Sequence, residues 1–169
     1  MERKNLWAPW RIKYVQELSR SSECFICDYV VAPSDDDKNL VLWRTANSVV
    51  VLNRFPYNNG HLLIAPMRHI PDLDEASDEE LLELMQIVRE CRKVLLKVLQ
   101  PHGFNIGINL GRCAGAGLPG HVHIHVVPRW EGDTSFMPVC SGTDVISQSL
   151  SELYGQLRQA STEKGFPHV

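Results

Sequence analysis

Three histidines separated by single β-branched residues are the part of this sequence best suited to chemistry. His121, His123 and His125 alternate with valine and isoleucine, residue types that favour a strand. Alternate side chains of a strand share one face, so the pattern predicts a row of imidazoles backed by packed apolar side chains. An imidazole can act near neutral pH as a metal ligand, a general acid or base, or a nucleophile. The row therefore indicates a functional site, with a purely structural ladder of histidines as the alternative.

Two cysteines near the start of the chain have the spacing of a metal-binding pair. Cys24 and Cys27 are separated by two residues, which lets two thiolates reach one ion. A closed tetrahedral zinc site needs two more ligands. The same spacing also fits a buried turn or a redox pair, although the strand and helix that flank a thioredoxin-like site are not evident from the sequence. The odd total of five cysteines disfavours a disulfide framework.

The segment directly before the histidines is rich in glycine. Residues 111–120 include Gly111, Gly115, Gly117 and Gly120. Glycines let backbone amides approach an anion closely, so this segment is a candidate phosphate cradle. No Gly-Lys-Ser/Thr follows, which excludes a Walker-type loop. A plain flexible connector between strands is the alternative.

The histidine run and its flanks resemble the histidine triad superfamily, in particular its bacterial diadenosine tetraphosphate phosphorylases and their hydrolase relatives. The spacing His-apolar-His-apolar-His-apolar-apolar is similar to the signature of that family. Three further stretches resemble the strands and loops of its members: LNRFPYNNGHLLIAP at 52–66, NIGINLG at 105–111 and VPRWEGD at 127–133. The resemblance covers roughly residues 5–158.

The resemblance implies cleavage of a dinucleoside polyphosphate through a covalent intermediate. It makes His123 the nucleophile that attacks the α-phosphorus and forms a nucleotidyl-histidine. It gives His125 a hydrogen bond to a phosphate or bridging oxygen of the substrate. It places the amide of Asn109 beside the α-phosphate and the amide of Asn53 on the ribose. The phosphate-binding residues of the loop correspond to Gly115, Ala116 and Gly117.

One position departs from the family pattern. The phosphorylases often carry a serine or threonine where this chain has Gly117, which puts inorganic phosphate as the second acceptor in doubt. Overall similarity favours phosphorolysis, and hydrolysis by water remains the alternative.

The same resemblance completes the metal site. Zinc-bearing members of the superfamily use two cysteines and two histidines, which correspond here to Cys24, Cys27, His69 and His121. Four protein ligands leave no open position for water, so the implied zinc is structural. We expect no organic cofactor.

Hydrophobic periodicity predicts the elements that hold these residues. Strands are predicted where short apolar runs end in turn residues, at 40–43, 49–52, 62–65, 104–110 and 121–128. A long helix is predicted to begin at Ser77, which forms a capping-box pattern with Glu80, and to stop before Pro101. Its core stripe is predicted to comprise Leu81, Leu84, Met85, Val88, Cys91, Leu95 and Val98. A C-terminal helix is predicted within residues 142–160.

This order of elements predicts an α+β fold with an antiparallel sheet covered by the helix. The resemblance implies five antiparallel strands per subunit and a homodimer with a continuous sheet. The 169 residues are expected to form one domain. Its predicted parts are an N-terminal arm over 1–23, a zinc-linked core over 24–137, a C-terminal arm and helix over 138–160, and a loose tail over 161–169.

Composition limits the partners and the location. The net charge of −3 argues against a general nucleic-acid binder, although a few local arginines suffice for an anionic nucleotide. No apolar run approaches the roughly 20 residues of a membrane span, and the N-terminus lacks an apolar signal core. We therefore expect a cytoplasmic protein with no nucleic-acid or membrane partner.

Two other functions fit parts of the same pattern. Small relatives with a similar triad hydrolyse nucleoside phosphoramidates and other mononucleotide esters. A nucleotide-binding regulatory module with little catalysis is the third hypothesis. The intact triad disfavours that module, because binding alone does not need a free imidazole at its centre.

Overall fold

A computed structural model describes residues 24–115, 118, 120–133 and 146–163 of the chain. The predicted arm over 1–23 lies outside these residues, as do Ala116, Gly117 and most of the predicted C-terminal arm. The helices in the described part are α1 (Phe25–Val31), α2 (Asp36–Asn39), α3 (Asp78–Leu99) and α4 (Leu150–Glu163). The strands are β1 (Val41–Arg44), β2 (Ser48–Leu52), β3 (Leu62–Pro66), β4 (Gly103–Ile108) and β5 (Ile124–Arg129).

The five strands form one antiparallel sheet in the order β1-β2-β3-β5-β4. This confirms the predicted α+β class with its five-stranded sheet. Strand β5 lies between β3 and β4, and His125 is paired with Leu63 on one side and Gly107 on the other. The histidine segment therefore continues into the interior of the sheet, where neighbouring strands fix its position.

The two faces of the sheet have different partners. Ile124 and Val126 pack into the main core beneath α3 and α4. A smaller cluster on Val49, Val51 and Ala65 packs against α1. Because side chains alternate along a strand, His125 faces away from α3.

Helix α3 begins as the sequence predicts. Ser77 Oγ accepts a hydrogen bond from the Glu80 amide at 3.2 Å, and the Ser77 amide donates to Glu80 Oε2 at 2.9 Å, which together form a capping box. The helix ends at Leu99, and Gln100 follows in the left-handed region. The predicted stripe is wrong at Met85, which is 58% exposed; Ile87 and Val94 are buried instead.

Strand β5 begins three residues later than predicted. His121 and His123 lie in the segment that leads into the strand. There the Val122 amide donates to the Ile70 carbonyl at 2.8 Å, and the His121 carbonyl accepts from the ring of His123. These backbone groups are therefore not available to the sheet ladder.

The C-terminal helix is tied to the edge strand β1. The hydroxyl of Tyr154 lies 2.8 Å from Asp37 Oδ1 and from the Val41 carbonyl, and Arg158 donates to the Leu42 carbonyl at 2.8 Å. The prediction of a loose tail from residue 161 is wrong for 161–163, because the helix runs to Glu163 and Ser161 is fully buried.

None of the helices in the described part of the chain combines the length and apolar character needed to cross a membrane. The cytoplasmic location stays a prediction.

Candidate active site and metal centre

The ring of His123 is held by a single backbone group. Its Nδ1 lies 2.8 Å from the carbonyl oxygen of His121. A carbonyl only accepts hydrogen bonds, so Nδ1 carries the proton and Nε2 keeps its lone pair. His123 is buried, and this burial lowers its pKa, which favours the neutral ring near pH 7. The residue therefore presents an unprotonated nitrogen, as a nucleophile requires.

A fourth histidine, His61, sets the tautomer of His125. The amide N–H of Tyr57 donates to His61 Nδ1 at 3.1 Å, so the proton of neutral His61 lies on Nε2. This Nε2 is 2.9 Å from His125 Nδ1 and donates to it. The proton of neutral His125 is then on Nε2. A backbone amide thus determines, through two rings, which nitrogen of His125 is a donor.

Burial keeps this histidine pair neutral. Desolvation, with smaller contributions from the neighbouring His125 and His123, lowers the pKa of His61 to about 3. Desolvation lowers the pKa of His125 to about 4, with a smaller contribution from His123. Near pH 7 both rings are uncharged, so His125 offers a hydrogen bond of fixed direction.

The chain conformation before His61 requires glycine. Gly60 has a φ of +78°, and a Cβ added there would lie 2.5 Å from a side-chain carbon of Leu99 and 3.2 Å from Pro128. No other residue fits this turn without displacing its neighbours. His61 is not among the residues that the sequence predicted at the site. The available signal was a histidine after a turn glycine, directly before a strand, within the stretch that resembles the family.

Two asparagines predicted at the site lie beside these histidines. Asn109 follows β4, and its Nδ2 is 3.4 Å from His125 Nε2; rotating the amide by half a turn presents Oδ1 to this donor. Asn53 follows β2, with its Nδ2 at 3.2 Å from His61 Nδ1 and its Oδ1 accepting from the Phe55 amide at 3.0 Å. The structure brings both residues to the site. Their substrate contacts stay predictions.

The described part of the glycine-rich loop forms a short turn. Residues Arg112–Ala114 make one 3-10 turn, and the Gly115 amide donates to the Arg112 carbonyl at 3.1 Å. Gly115 has a φ of +87°, which favours glycine. Its amide is engaged within the turn in this conformation. The anion-binding role predicted for Gly115 stays a prediction, and the same role for Ala116 and Gly117 lies outside the described residues.

The four predicted metal ligands converge on one point. The ligand atoms of Cys24, Cys27, His69 and His121 all lie within 4.8 Å of one another. Cys24 Sγ is 3.2 Å from His121 Nδ1, and Cys27 Sγ is 3.2 Å from His69 Nδ1. Sulfur and nitrogen ligands on one tetrahedral zinc are about 3.6 Å apart. The cluster could bind a metal ion.

The orientation of His121 also fits metal binding. Its Nε2 lies 2.9 Å from the Pro66 carbonyl, so Nε2 carries the proton and Nδ1 directs its lone pair at the two sulfurs. A hydrogen bond from the second ring nitrogen to a carbonyl is the usual support of a metal-binding histidine. Burial raises the pKa of the Cys24 thiol to about 11. A bound cation would stabilise the thiolate instead.

The segment that carries His69 is fixed to α3 by an ion pair. Arg68 donates from Nε and Nη2 to the two carboxylate oxygens of Glu80, at 2.8 and 2.7 Å. These hydrogen bonds and the nearby charge lower the pKa of Glu80 to about 2. The pair therefore holds the chain beside the metal cluster without adding a ligand.

The buried histidines and the four candidate metal ligands meet around the segment His121–His125. A comparison with known protein families identifies this combination. The family model described as "HIT domain" matches residues 35–132. The chain belongs to the HIT domain family. The matched range contains the triad, His61 and both asparagines.

Two relatives, whose names describe different reactions, are similar to this HIT-domain protein over most of its chain. The AP-4-A phosphorylase of Mycobacterium tuberculosis is 39% identical over 155 residues, covering 88% of this chain and 80% of the relative. The asymmetrical bis(5'-nucleosyl)-tetraphosphatase of Schizosaccharomyces pombe is 36% identical over 127 residues, covering 73% and 69%.

Solved structures show the same fold. A Zn-bound histidine triad family protein from Mycobacterium smegmatis superposes with a TM-score of 0.65 and 24% identity, covering 82% of this chain and 95% of that one. A hypothetical histidine triad nucleotide-binding protein from Sulfolobus tokodaii gives a TM-score of 0.66 at 24% identity, covering 83% and 93%.

Proposed function

We propose that this protein cleaves dinucleoside polyphosphates at the α-phosphorus through a nucleotidyl-His123 intermediate, and that inorganic phosphate is the second acceptor. The observation that carries the proposal is the tautomer of His123, whose protonated Nδ1 donates to the His121 carbonyl at 2.8 Å and leaves Nε2 free to attack. The phosphorylase that is 39% identical over 88% of the chain supports phosphorolysis.

In the first half-reaction, His123 Nε2 forms a bond to the α-phosphorus while the bond from that phosphorus to the bridging oxygen breaks. The leaving nucleoside polyphosphate keeps the electron pair on that oxygen. His125 Nε2–H donates a hydrogen bond to it, and neutral His125 keeps its proton because the leaving phosphate is stable as an anion. The positive charge left on nucleotidyl-His123 makes the imidazole a good leaving group in the next step.

In the second half-reaction, a phosphate oxygen attacks the same phosphorus and the phosphorus–nitrogen bond breaks. Diadenosine tetraphosphate and phosphate then yield ATP and ADP, and His123 returns to its neutral form. Attack by water instead would yield ATP and AMP.

We propose that the ion held by Cys24, Cys27, His69 and His121 is zinc and that its role is structural. The two thiolates and two imidazoles are ligands that zinc prefers, and all four tetrahedral positions would be filled by protein. Such a site joins α1 and the segment after β3 to His121, which lies two positions before His123. The zinc named for the Mycobacterium smegmatis structure supports this choice of metal.

We also propose a homodimer formed along β4. This strand ends the sheet, and Ile106 on it is 42% exposed. Leu82 and Met85 on α3 are 61% and 58% exposed. Their helical spacing puts them on the side that carries Arg92, whose guanidinium lies 5.2 Å above the ring of Phe104 on β4. An exposed strand edge beside exposed apolar side chains is a surface suited to burial.

Product analysis of diadenosine tetraphosphate turnover tests the reaction. We expect ATP and ADP with phosphate present, and little turnover without it. ATP and AMP formed without phosphate would establish hydrolysis and overturn phosphorolysis. No turnover under either condition would contradict the substrate class, and adenosine phosphoramidate would then be assayed.

A further inference from the structure

We infer that the aromatic ring of Tyr57 is a positioning element of the site, which shields the hydrogen-bonded His61–His125 pair from water and so keeps the Nε2–H of His125 directed at the substrate. The inference deepens the proposed function and rests on it for its catalytic consequence. Its structural basis is the geometry of the turn between β2 and β3.

The ring of Tyr57 lies against both imidazoles. Its centroid is 4.6 Å from that of His61 at an angle of 38°, and 5.7 Å from that of His125 in a stacked arrangement at 23°. The phenol ring therefore spans the two residues whose nitrogens share the 2.9 Å hydrogen bond.

The same ring covers His61 and lies against His125, which is partly exposed. Tyr57 is 52% exposed, whereas His61 beneath it is 0% exposed. A large apolar ring with one face on buried polar groups and the other in water acts as a cover for those groups. Truncating it would admit water to the pair.

Water at this position would remove the constraint on His125. It would compete for the nitrogens of both rings and lower the desolvation that keeps them neutral. Either ring could then accept a proton, and a protonated or differently hydrogen-bonded pair no longer specifies one donor direction. The side chain of Tyr57 would thus act on the reaction through His125.

The neighbouring titratable groups contribute less to the neutrality of the pair than burial does. Among the described residues, the titratable groups that act on the pair are the two rings themselves and His123, whose ring centroid is 4.9 Å from that of His125. The amides of Asn53 and Asn109 face the pair without charge. Desolvation is the largest influence on both rings, and the ring of Tyr57 packs against both of them.

The chain allows the ring to be tested separately from the rest of the residue. The amide that donates to His61 Nδ1 belongs to the backbone of Tyr57, so it remains in every side-chain variant. Tyr57→Phe keeps the ring and removes the hydroxyl. Tyr57→Ala removes both. Phe55→Ala is a matched control, because Phe55 lies on the same turn and is also 52% exposed.

The first readout is the titration of the imidazoles by nitrogen NMR in the zinc-loaded protein, with His61→Asn and His125→Asn used to assign the signals. In the wild type and in Tyr57→Phe, we expect both rings to stay neutral between about pH 5.5 and 8. In Tyr57→Ala, we expect at least one of the two rings to titrate within this window, with a midpoint raised by more than about one pH unit.

The second readout is the pH dependence of kcat on diadenosine tetraphosphate. For Tyr57→Ala we expect kcat near pH 7.5 to fall about 10-fold and to fall further below about pH 6.5, while Tyr57→Phe and Phe55→Ala keep the wild-type profile. An unshifted titration in Tyr57→Ala would overturn the inference. A Tyr57→Phe variant that behaves like Tyr57→Ala would also overturn the inference, because the effect would then come from the hydroxyl and not from the ring.

The two readouts separate failure of this inference from failure of the proposed reaction. A wild type that turns over no dinucleoside polyphosphate would contradict the proposed function, yet the NMR titration would still test whether the ring shields the pair.

Discussion

Each histidine of the triad has its tautomer fixed by a backbone group. The Pro66 carbonyl fixes His121, and the His121 carbonyl fixes His123. The Tyr57 amide fixes His125 through His61. Because a backbone carbonyl can only accept and a backbone amide can only donate, identical side chains present different nitrogens, which suits the three roles proposed for them: metal ligand, nucleophile and hydrogen-bond donor.

Replacing the proposed nucleophile tests the second of these roles. We expect His123→Ala to lower kcat by about 10³-fold or more, because the variant lacks the nitrogen proposed to form the covalent intermediate. The variant should keep its metal content and its circular dichroism. Rapid quenching of the wild type with radiolabelled substrate should trap nucleotidylated protein, and a variant with undiminished activity would contradict the mechanism.

Burial of His61 predicts a loss of stability in acid. Its pKa is about 3 in the folded protein and about 6.5 in the unfolded chain. The unfolded state therefore binds more protons as the pH falls below about 6.5, and stability should decrease by up to about 1.4 kcal/mol per pH unit from this residue.

Urea unfolding of zinc-loaded protein at about pH 7.5 and 5.5 measures this loss. We expect the pH dependence to be smaller in His61→Asn than in the wild type by about 1 kcal/mol over this interval. Equal pH dependence in the two proteins would show that His61 is not buried as a neutral ring.

At the scale of elements, the site is assembled where separate segments meet one strand. Strand β3 begins directly after His61, β5 carries His125, and β4 ends just before Asn109. Helix α1 begins at Phe25, so the cysteine pair lies at its first turn. The candidate metal site brings this helix together with the histidine segment, because its four residues come from three places in the chain.

Removing one thiolate should therefore loosen that junction. We expect Cys27→Ser to lose the bound ion and several kcal/mol of stability, because metal binding contributes directly to folding. Metal analysis by mass spectrometry should give about one zinc per wild-type chain. Cys113→Ser is the matched control, since Cys113 is an exposed cysteine outside the cluster; a stable, fully active Cys27→Ser protein without metal would refute the structural role.

At the scale of the whole molecule, the two edges of the sheet differ. The β1 edge is tied to α4 through Tyr154 and Arg158. The β4 edge has no pairing strand among the described residues, and its neighbour α3 exposes Leu82 and Met85. An unprotected edge favours association with another copy, which is the physical basis of the proposed homodimer.

A charge placed on this edge should separate the subunits. We expect the wild type to sediment as a dimer and Ile106→Lys to shift to the monomer mass in analytical ultracentrifugation, because a buried lysine without a partner is unfavourable. Val31→Lys provides the control, since Val31 is 80% exposed on α1, away from β4. A monomeric wild type, or a dimer unaffected by Ile106→Lys, would contradict the proposal.

The residues of the site were largely predictable because their chemistry is local. The spacing of His121, His123 and His125 indicated the candidate reaction centre, and the capping-box pattern at Ser77 correctly predicted the start of the long helix. The family resemblance supplied the four candidate metal ligands, which the structure brings together. Short-range patterns of this kind depend on neighbours in the chain and not on the rest of the fold.

Only the tertiary structure decided which nitrogen of each ring is available and what surrounds it. The partners that settle this come from distant positions: Pro66 for His121, and Tyr57 and His61 for His125. The start of β5 at Ile124 depends on which groups bond the backbone before it, and the exposure of Met85 depends on which neighbours cover that face of α3. A sequence pattern fixes the period of side chains, whereas hydrogen-bond direction and burial are set by groups that folding brings together.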